Sequence, residues 1–194
     1  TVQLDASGNI SITAADIDAG STDACGIASI NASRTAFTCA DIGTNTVTLT
    51  VTDNNGNVST CDATVTVADT VAPVANCQAV TTYLDASGDA TINASDLDGG
   101  STDACGGLTF SASQTSFDCS ETGANSVTLT ATDVNGNSST CSTTVTVLDT
   151  LNPVAICKTD TINLALNGWA VVIPAGLNGG STDNCTTTTF TASI

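Results

Sequence analysis

The sequence repeats itself with a period of 80 residues, and this constrains the fold more than any single motif does. Leu4-Asp5-Ala6-Ser7-Gly8 returns as Leu84-Asp85-Ala86-Ser87-Gly88, and Val47-Thr48-Leu49-Thr50 as Val127-Thr128-Leu129-Thr130. Ser21-Thr22-Asp23-Ala24-Cys25 returns as Ser101-Thr102-Asp103-Ala104-Cys105, then with one change as Ser181-Thr182-Asp183-Asn184-Cys185. No insertion or deletion separates the copies. A fixed period of this length marks an array in which each repeat is one structural unit. The boundaries fall at 1–72 for a first repeat lacking its Cys-bearing start, 73–152 for a complete second repeat, and 153–194 for a partial third. The chain starts and stops inside a repeat, without an initiator Met or signal peptide, so we expect an internal piece of a longer protein.

A repeat of 80 residues has little core of its own, so staples such as disulfides or bound metal are expected. The nine cysteines recur four to a period, at 25, 39, 61 and 77 and again at 105, 119, 141 and 157, with Cys185 in the third copy. Regular cysteines in small Thr-rich units imply an oxidising, extracellular setting. Nineteen acidic residues face only Arg34 and Lys158, and there is no His. Nucleic acid and anionic membrane surfaces are excluded as partners, since both need clustered Lys and Arg. No apolar run approaches membrane-spanning length, so no membrane insertion is expected in this segment. Without His, and with Lys158 isolated at a repeat joint, general acid–base catalysis has few candidates, and no enzyme and no organic cofactor are expected. Aromatic platforms are scarce: Phe37 and Phe117 recur at the period and read as core, while Trp169, unique to the third copy, is expected to pack.

The secondary-structure signal has period 2. In 46–52 apolar residues alternate with threonines, and 64–67 and 144–147 do the same. Thr and Val are β-branched, so these are strands with one buried and one wet face. Asp53-Asn54-Asn55-Gly56-Asn57 and its copy at 133–137 are hairpin turns, and Leu84–Gly88 is a tight turn between strands near 79–84 and 89–94. No segment has convincing helical periodicity. Short strands with frequent turn signals predict an all-β chain of tandem β-sandwiches. The joints at 68–73 and 148–153 are short and carry Pro, which predicts stiff connections.

The acids fall in the turns. Asp16, Asp18 and Asp23 line one loop and Asp96, Asp98 and Asp103 its copy, while Asp53 and Asp133 open the hairpins. If the strands run up and down, Asp69 in the joint meets Asp96, Asp98, Asp103 and Asp133, with Asp5 approaching from the first repeat. Carboxylates gathered without a basic partner repel one another, and Ca2+ relieves this with six to eight oxygen ligands. These ten residues are the candidate Ca2+ ligands. The competing reading is that each Asp accepts hydrogen bonds from its own turn and keeps the surface soluble. The third copy has Ala165, Gly176 and Asn178 at the positions of Asp85, Asp96 and Asp98 and should bind metal more weakly.

The motif series Thr-x-Asp-x-x-Gly-Asn-x-x-x-Cys, then a Val-Thr-Val strand, then Asp-Thr-x-x-Pro, resembles the hyalin-repeat (HYR-like) immunoglobulin-fold modules. It is similar in particular to tandem repeats of large cell-surface adhesins of Bacteroidota. Phe37–Gly43 and Phe117–Gly123 also match that pattern. The resemblance implies tandem immunoglobulin-like β-sandwiches on the bacterial cell surface. In such a sandwich the first and last strands run side by side in parallel, which implies a Cys77–Cys141 pair. Cys25–Cys39 and Cys105–Cys119 would then close 14-residue separations, each worth roughly 3 kcal/mol in the chain-entropy model. Cys61, Cys157 and Cys185 stay unpaired within this segment on that scheme. The rival scheme, Cys61–Cys77 and Cys141–Cys157, would staple neighbouring repeats. Asp69-Thr70-Val71, Asp149-Thr150-Leu151 and Asp160-Thr161-Ile162 resemble an Asp-Ser/Thr-aliphatic O-glycosylation signal, which would modify Thr70, Thr150 and Thr161. The expected function is a non-catalytic stalk or fibre segment of a surface adhesin or extracellular filament, with neighbouring repeats as partners. The alternative is a carbohydrate- or partner-binding module that recognises surface glycans through its polar loops.

Overall fold

The computed structural model describes residues 1–185, 189 and 191. The chain divides into two compact units. One comprises Thr1–Asn76, Gly100–Phe110 and Thr130–Thr140, and the other Cys77–Gly99, Ser111–Leu129 and Cys141–Ile194. Among the described residues regular structure is all β apart from short 3-10 turns.

The first repeat is built from β1 (Val2–Gln3), β2 (Asn9–Ser11), β3 (Ile27–Ala32), β4 (Ala36–Thr38), β5 (Gly43–Asp53) and β6 (Val58–Ala68). One sheet has the order β1-β6-β5-β3, and β2 pairs with β4 in a second. β5 and β6 form a long antiparallel hairpin from Gly43↔Val67 to Thr52↔Val58. It closes where Asp53 N–H donates to the Asn57 carbonyl at 3.0 Å, and Gly56 turns the chain at φ 88°, a left-handed value that suits Gly. β1 runs parallel to β6, Val2 opposite Val67. A first strand lying parallel to the last, with the remaining strands shared between two sheets, is an immunoglobulin-like sandwich.

The alternation read from sequence sorts the two faces. Val47 and Leu49 of β5 and Val65 and Val67 of β6 are buried, while the intervening threonines face outward. Leu4, Ile12, Phe37, Val47, Val65 and Val67 form one hydrophobic cluster, which joins β4 of the small sheet to β5 and β6 of the large one.

The second repeat copies this with β7 (Val80–Tyr83), β8 (Asp89–Thr91), β9 (Thr109–Ala112), β10 (Ser116–Asp118), β11 (Gly123–Thr132) and β12 (Ser138–Leu148). Its sheets have the orders β7-β12-β11-β9 and β8-β10, and β7 is parallel to β12 with Val80 opposite Val145. Leu84, Leu97, Phe117, Val127, Leu129, Val145 and Val147 are buried. The fold is therefore a tandem of immunoglobulin-like β-sandwiches on the 80-residue repeat.

The third copy differs. In this partial copy Leu164 is 69% exposed, where its counterpart Leu84 is 3%. Trp169 is 76% exposed there.

Replacing Phe37 with Ala removes the residue that joins the two sheets of the first repeat. Urea unfolding should show a loss of about 3–5 kcal/mol, against a change within about 0.5 kcal/mol for Ala at exposed Ile42.

Candidate functional site

The sequence expected Cys25 to bond Cys39 and Cys105 to bond Cys119. The structure instead links Cys39 to Cys105 and Cys119 to Cys185, each across 66 residues. Strand length explains the correction. Cys25 precedes β3, whose Ile27 pairs with Asp53 at the far end of β5. Cys39 precedes Gly43 at the near end of the same strand. At about 3.4 Å per residue β5 holds the two cysteines about 34 Å apart, while a disulfide needs Cα atoms within about 7 Å. Cys105 and Cys119 are separated by β11 in the same way, since Thr109 Oγ1 donates to Thr132 O at the end of that strand. Cys77–Cys141 joins the parallel first and last strands of the second repeat, as the immunoglobulin-like arrangement implied. Among the described residues Cys25, Cys61 and Cys157 are free and exposed, so Cys25 loses and Cys185 gains a partner relative to expectation.

The Cys39–Cys105 contact is built from three short segments of one compact unit. Cys39 opens a 3-10 turn after β4, capped by Thr38 and Asp41. Asp41 also pairs with Arg34, whose guanidinium lies 4.6 Å from the Phe37 ring centroid. The turn at Asp5–Asn9 lies alongside, and a Cβ at Gly8 would fall 2.6 Å from Cys39 Sγ. Cys105 comes from a loop in which Asp103 Oδ1 accepts its backbone N–H at 2.8 Å. Glycine at 8, needed both for its φ of 73° and for this approach, was the sequence signal for the site.

The joint packs onto the 133–137 hairpin within the same unit. Ser139 Oγ donates to the Pro73 carbonyl at 2.5 Å, Asn137 Nδ2 to Asp69 O at 3.3 Å, and Asn135 Nδ2 to Asp69 Oδ2 at 3.3 Å. Val74 and Thr102 exchange backbone hydrogen bonds at 2.8 and 3.1 Å. These contacts leave Asp69 8% and Asp133 5% exposed.

Asp69 and Asp103 are the candidate metal residues that the structure gathers into a cluster. With Cys105 they place one ligand atom each within 4.8 Å of one another. The Cys105 sulfur is committed to its disulfide, so the cluster offers two carboxylates. Asp69 and Asp103 also accept from their own turns, at Val71 N–H and Cys105 N–H, and the other candidates serve theirs. Asp5 accepts from the N–H of Ser7 and Asn9, Asp16 from Thr13, Asp18 from Ser21, and Asp23 from Cys25. Asp53 and Asp133 each accept from the backbone and side chain of the Asn four residues on, and Asp96 accepts from Asn93. Asp98 forms an antiparallel bridge with Cys77. The third copy shows what these positions require: Asn178 Oδ1 accepts from Ser181 N at 2.7 Å, as Asp18 Oδ1 does from Ser21 N at 2.9 Å. An uncharged acceptor reproduces the turn. The candidate glycosylation sites Thr70, Thr150 and Thr161 are all exposed, Thr70 donating to Gln3 Oε1 at 3.3 Å.

Hydrogen bonding lowers the titration of six acids, Asp16, Asp18, Asp41, Asp53, Asp118 and Asp133. Burial works to raise Asp133, but the Asn137 side chain and the backbone N–H groups of 135–137 bring it below the ordinary carboxylate value. Asp53 is lowered by the Asn57 side chain first, Asp18 by the Ser21 hydroxyl, Asp16 by the Thr13 backbone, Asp118 by the Ser120 hydroxyl and Asp41 by Arg34.

No family model matches the sequence, and no curated protein matches it either. Among solved structures the chain is similar to extracellular cadherin domains 1–4 of protocadherin gamma B7, at 15% identity and TM-score 0.35, covering 72% of this chain and 46% of that one. It is similar to an endo-fucoidan hydrolase of glycoside hydrolase family 107, at 15% identity and TM-score 0.27, covering 62% and 28%. It is also similar to fibronectin(III)-like modules of Clostridium thermocellum CbhA, at 14% identity and TM-score 0.27, covering 76% and 89%. The chain thus spans less than half of the first of these structures, and the fold assignment rests on the strand order above. The three disulfides imply an oxidising environment, and no helix of the described residues is long and apolar enough to cross a membrane.

Carboxylates whose folded pKa is lowered contribute stability that is fully present above the unfolded value of about 3.9. That stability is lost as pH falls through the lowered values. The urea midpoint should therefore hold from pH 7 to pH 5 and fall once the pH drops below about 4, and Asn137→Ala should make that fall shallower.

Removing the Cys39–Cys105 bond through Cys39→Ser should cost roughly 4 kcal/mol in the chain-entropy model, read as a lower thermal midpoint under non-reducing conditions.

Proposed function

We propose that the chain is a load-bearing structural repeat segment, part of the stalk or fibre of an extracellular bacterial surface adhesin related to the hyalin-repeat modules. The observation that carries this reading is the overlap of the three disulfides. Cys39–Cys105, Cys77–Cys141 and Cys119–Cys185 interlock along the sequence, each beginning before the previous one ends. Tension applied to the ends need not pass through the 146 residue steps from Cys39 to Cys185. It crosses the Cys39–Cys105 bond, 14 residue steps to Cys119, and the Cys119–Cys185 bond. Even with every sandwich unfolded, that path extends only about 50 Å, against about 500 Å for the open chain, at about 3.5 Å per residue. A tether under load gains from such a short covalent path.

On the same reading Asp69 and Asp103 take a Ca2+ ion, which relieves their mutual repulsion with further oxygens from the adjoining loops and water. Thr70 and Thr150 in the exposed joints, and Thr161 beyond the second joint, carry O-linked glycans. Millimolar CaCl2 should raise the thermal midpoint of the wild type and leave Asp69→Asn unchanged. An unchanged wild type removes the metal from this proposal without touching the mechanical one.

Single-molecule pulling on the whole chain separates the readings. The oxidised protein should release a short contour length and the reduced protein several hundred ångströms more. Equal lengths with and without reductant would overturn the load-bearing function.

A further inference from the structure

Cys25 belongs to a set of three whose other two members are bonded. The loops ending in Cys25, Cys105 and Cys185 occupy the same place in the 80-residue period. Each is shaped by the same hydrogen bond: Cys25 N to Asp23 Oδ1 at 2.8 Å, Cys105 N to Asp103 Oδ1 at 2.8 Å, and Cys185 N to Asp183 Oδ1 at 2.9 Å. In the two occupied loops the central Thr also exchanges a pair of backbone hydrogen bonds with a Val, Thr102 with Val74 and Thr182 with Val154. There the cysteine is half-buried. In the first loop Thr22, Asp23, Ala24 and Cys25 are all exposed.

What the occupied loops receive is the same in both cases. A Leu-Asp-Ala-Ser-Gly turn lies against the cysteine of a Phe-x-Cys segment, Phe37-Thr38-Cys39 in one case and Phe117-Asp118-Cys119 in the other. Glycine makes room in each, since a Cβ at Gly8 would fall 2.6 Å from Cys39 Sγ and one at Gly88 2.8 Å from Cys119 Sγ. Cys61 and Cys157, also free and exposed, repeat Cys141 and Cys77, whose bond closes a single sandwich. Cys25 alone among the three repeats a cysteine that bonds a Phe-x-Cys turn.

We propose that the loop from Ser21 to Cys25 is an interaction surface for a further repeat of this sequence type, which seats its Leu-Asp-Ala-Ser-Gly turn there and bonds its Phe-x-Cys sulfur to Cys25. The two thiols give up two protons and two electrons to a low-molecular-weight disulfide such as oxidised glutathione. One cysteine sulfur first takes up a glutathionyl group and releases one glutathione. The other thiolate then attacks that sulfur, forms the protein disulfide and expels the second glutathione. The inference rests on the load-bearing reading, but its test is separate: the pulling curve depends on Cys39–Cys105 and Cys119–Cys185, and the experiment below on Cys25.

The wild-type chain is incubated in a glutathione redox buffer with the full chain carrying Cys185→Ser, which frees Cys119. The products are mapped by mass spectrometry without reduction. Intermolecular Cys25–Cys119 links should exceed Cys61–Cys119 and Cys157–Cys119 links at least tenfold, and Cys25→Ser should abolish the excess. Cys105→Ser, which frees Cys39 instead, serves as a second bait should the first variant fold poorly, and should give Cys25–Cys39. Links spread evenly over the three exposed cysteines, or none at Cys25, would overturn the proposal.

Discussion

The rest of the structure depends on the bond between a turn cysteine and a loop cysteine, Cys39 to Cys105, and on its copy, Cys119 to Cys185. An 80-residue sandwich with a core of a few Val, Leu and Phe side chains sits near the lower limit at which burial alone outweighs chain entropy. These bonds remove conformations from the unfolded chain over long loops, where the entropic effect is large. In the same unit Pro73 and Asp69 contact Ser139, Asn135 and Asn137, and the buried Asp69 and Asp133 accept hydrogen bonds from Asn135, Asn137 and backbone N–H groups.

The sandwich was legible in the sequence because its cause is local. Alternating Val and Thr can bury only one face of a strand, and Asn-Gly in 55–56 can close only a tight hairpin. Cys77–Cys141 followed from the implied parallel pairing of first and last strands. Cys25–Cys39 was misread because proximity along the chain was taken for proximity in space. The eleven residues of β5 carry the two cysteines to opposite ends of the sheet, where the sequence shows alternation only over 46–52. Gly8 and Gly88 were equally visible, but a glycine in a turn has an ordinary explanation in its backbone angle, which hid its second role beside a sulfur.

The acids carry a related lesson. A net charge of −17 suggested metal chemistry, yet most of these carboxylates are spent on backbone N–H groups two to four residues away. Sequence counts charges and cannot show whether their oxygens are already engaged. The clearest hint was Asn178, an acid lost from the third copy without loss of the turn. Asp69 and Asp103 differ because they come from segments far apart in sequence, and only the folded joint brings them together.

The way the three disulfides overlap bears on the survival of the chain wherever it meets proteases in an oxidising environment. The spans 39–105 and 119–185 leave a gap between Cys105 and Cys119, and the 77–141 span covers that gap. Every peptide bond between Cys39 and Cys185 is therefore bridged by at least one sulfur–sulfur bond. A single proteolytic cut anywhere in that stretch, including the exposed hairpin tips, leaves both fragments covalently joined. The protein can be nicked there without being severed.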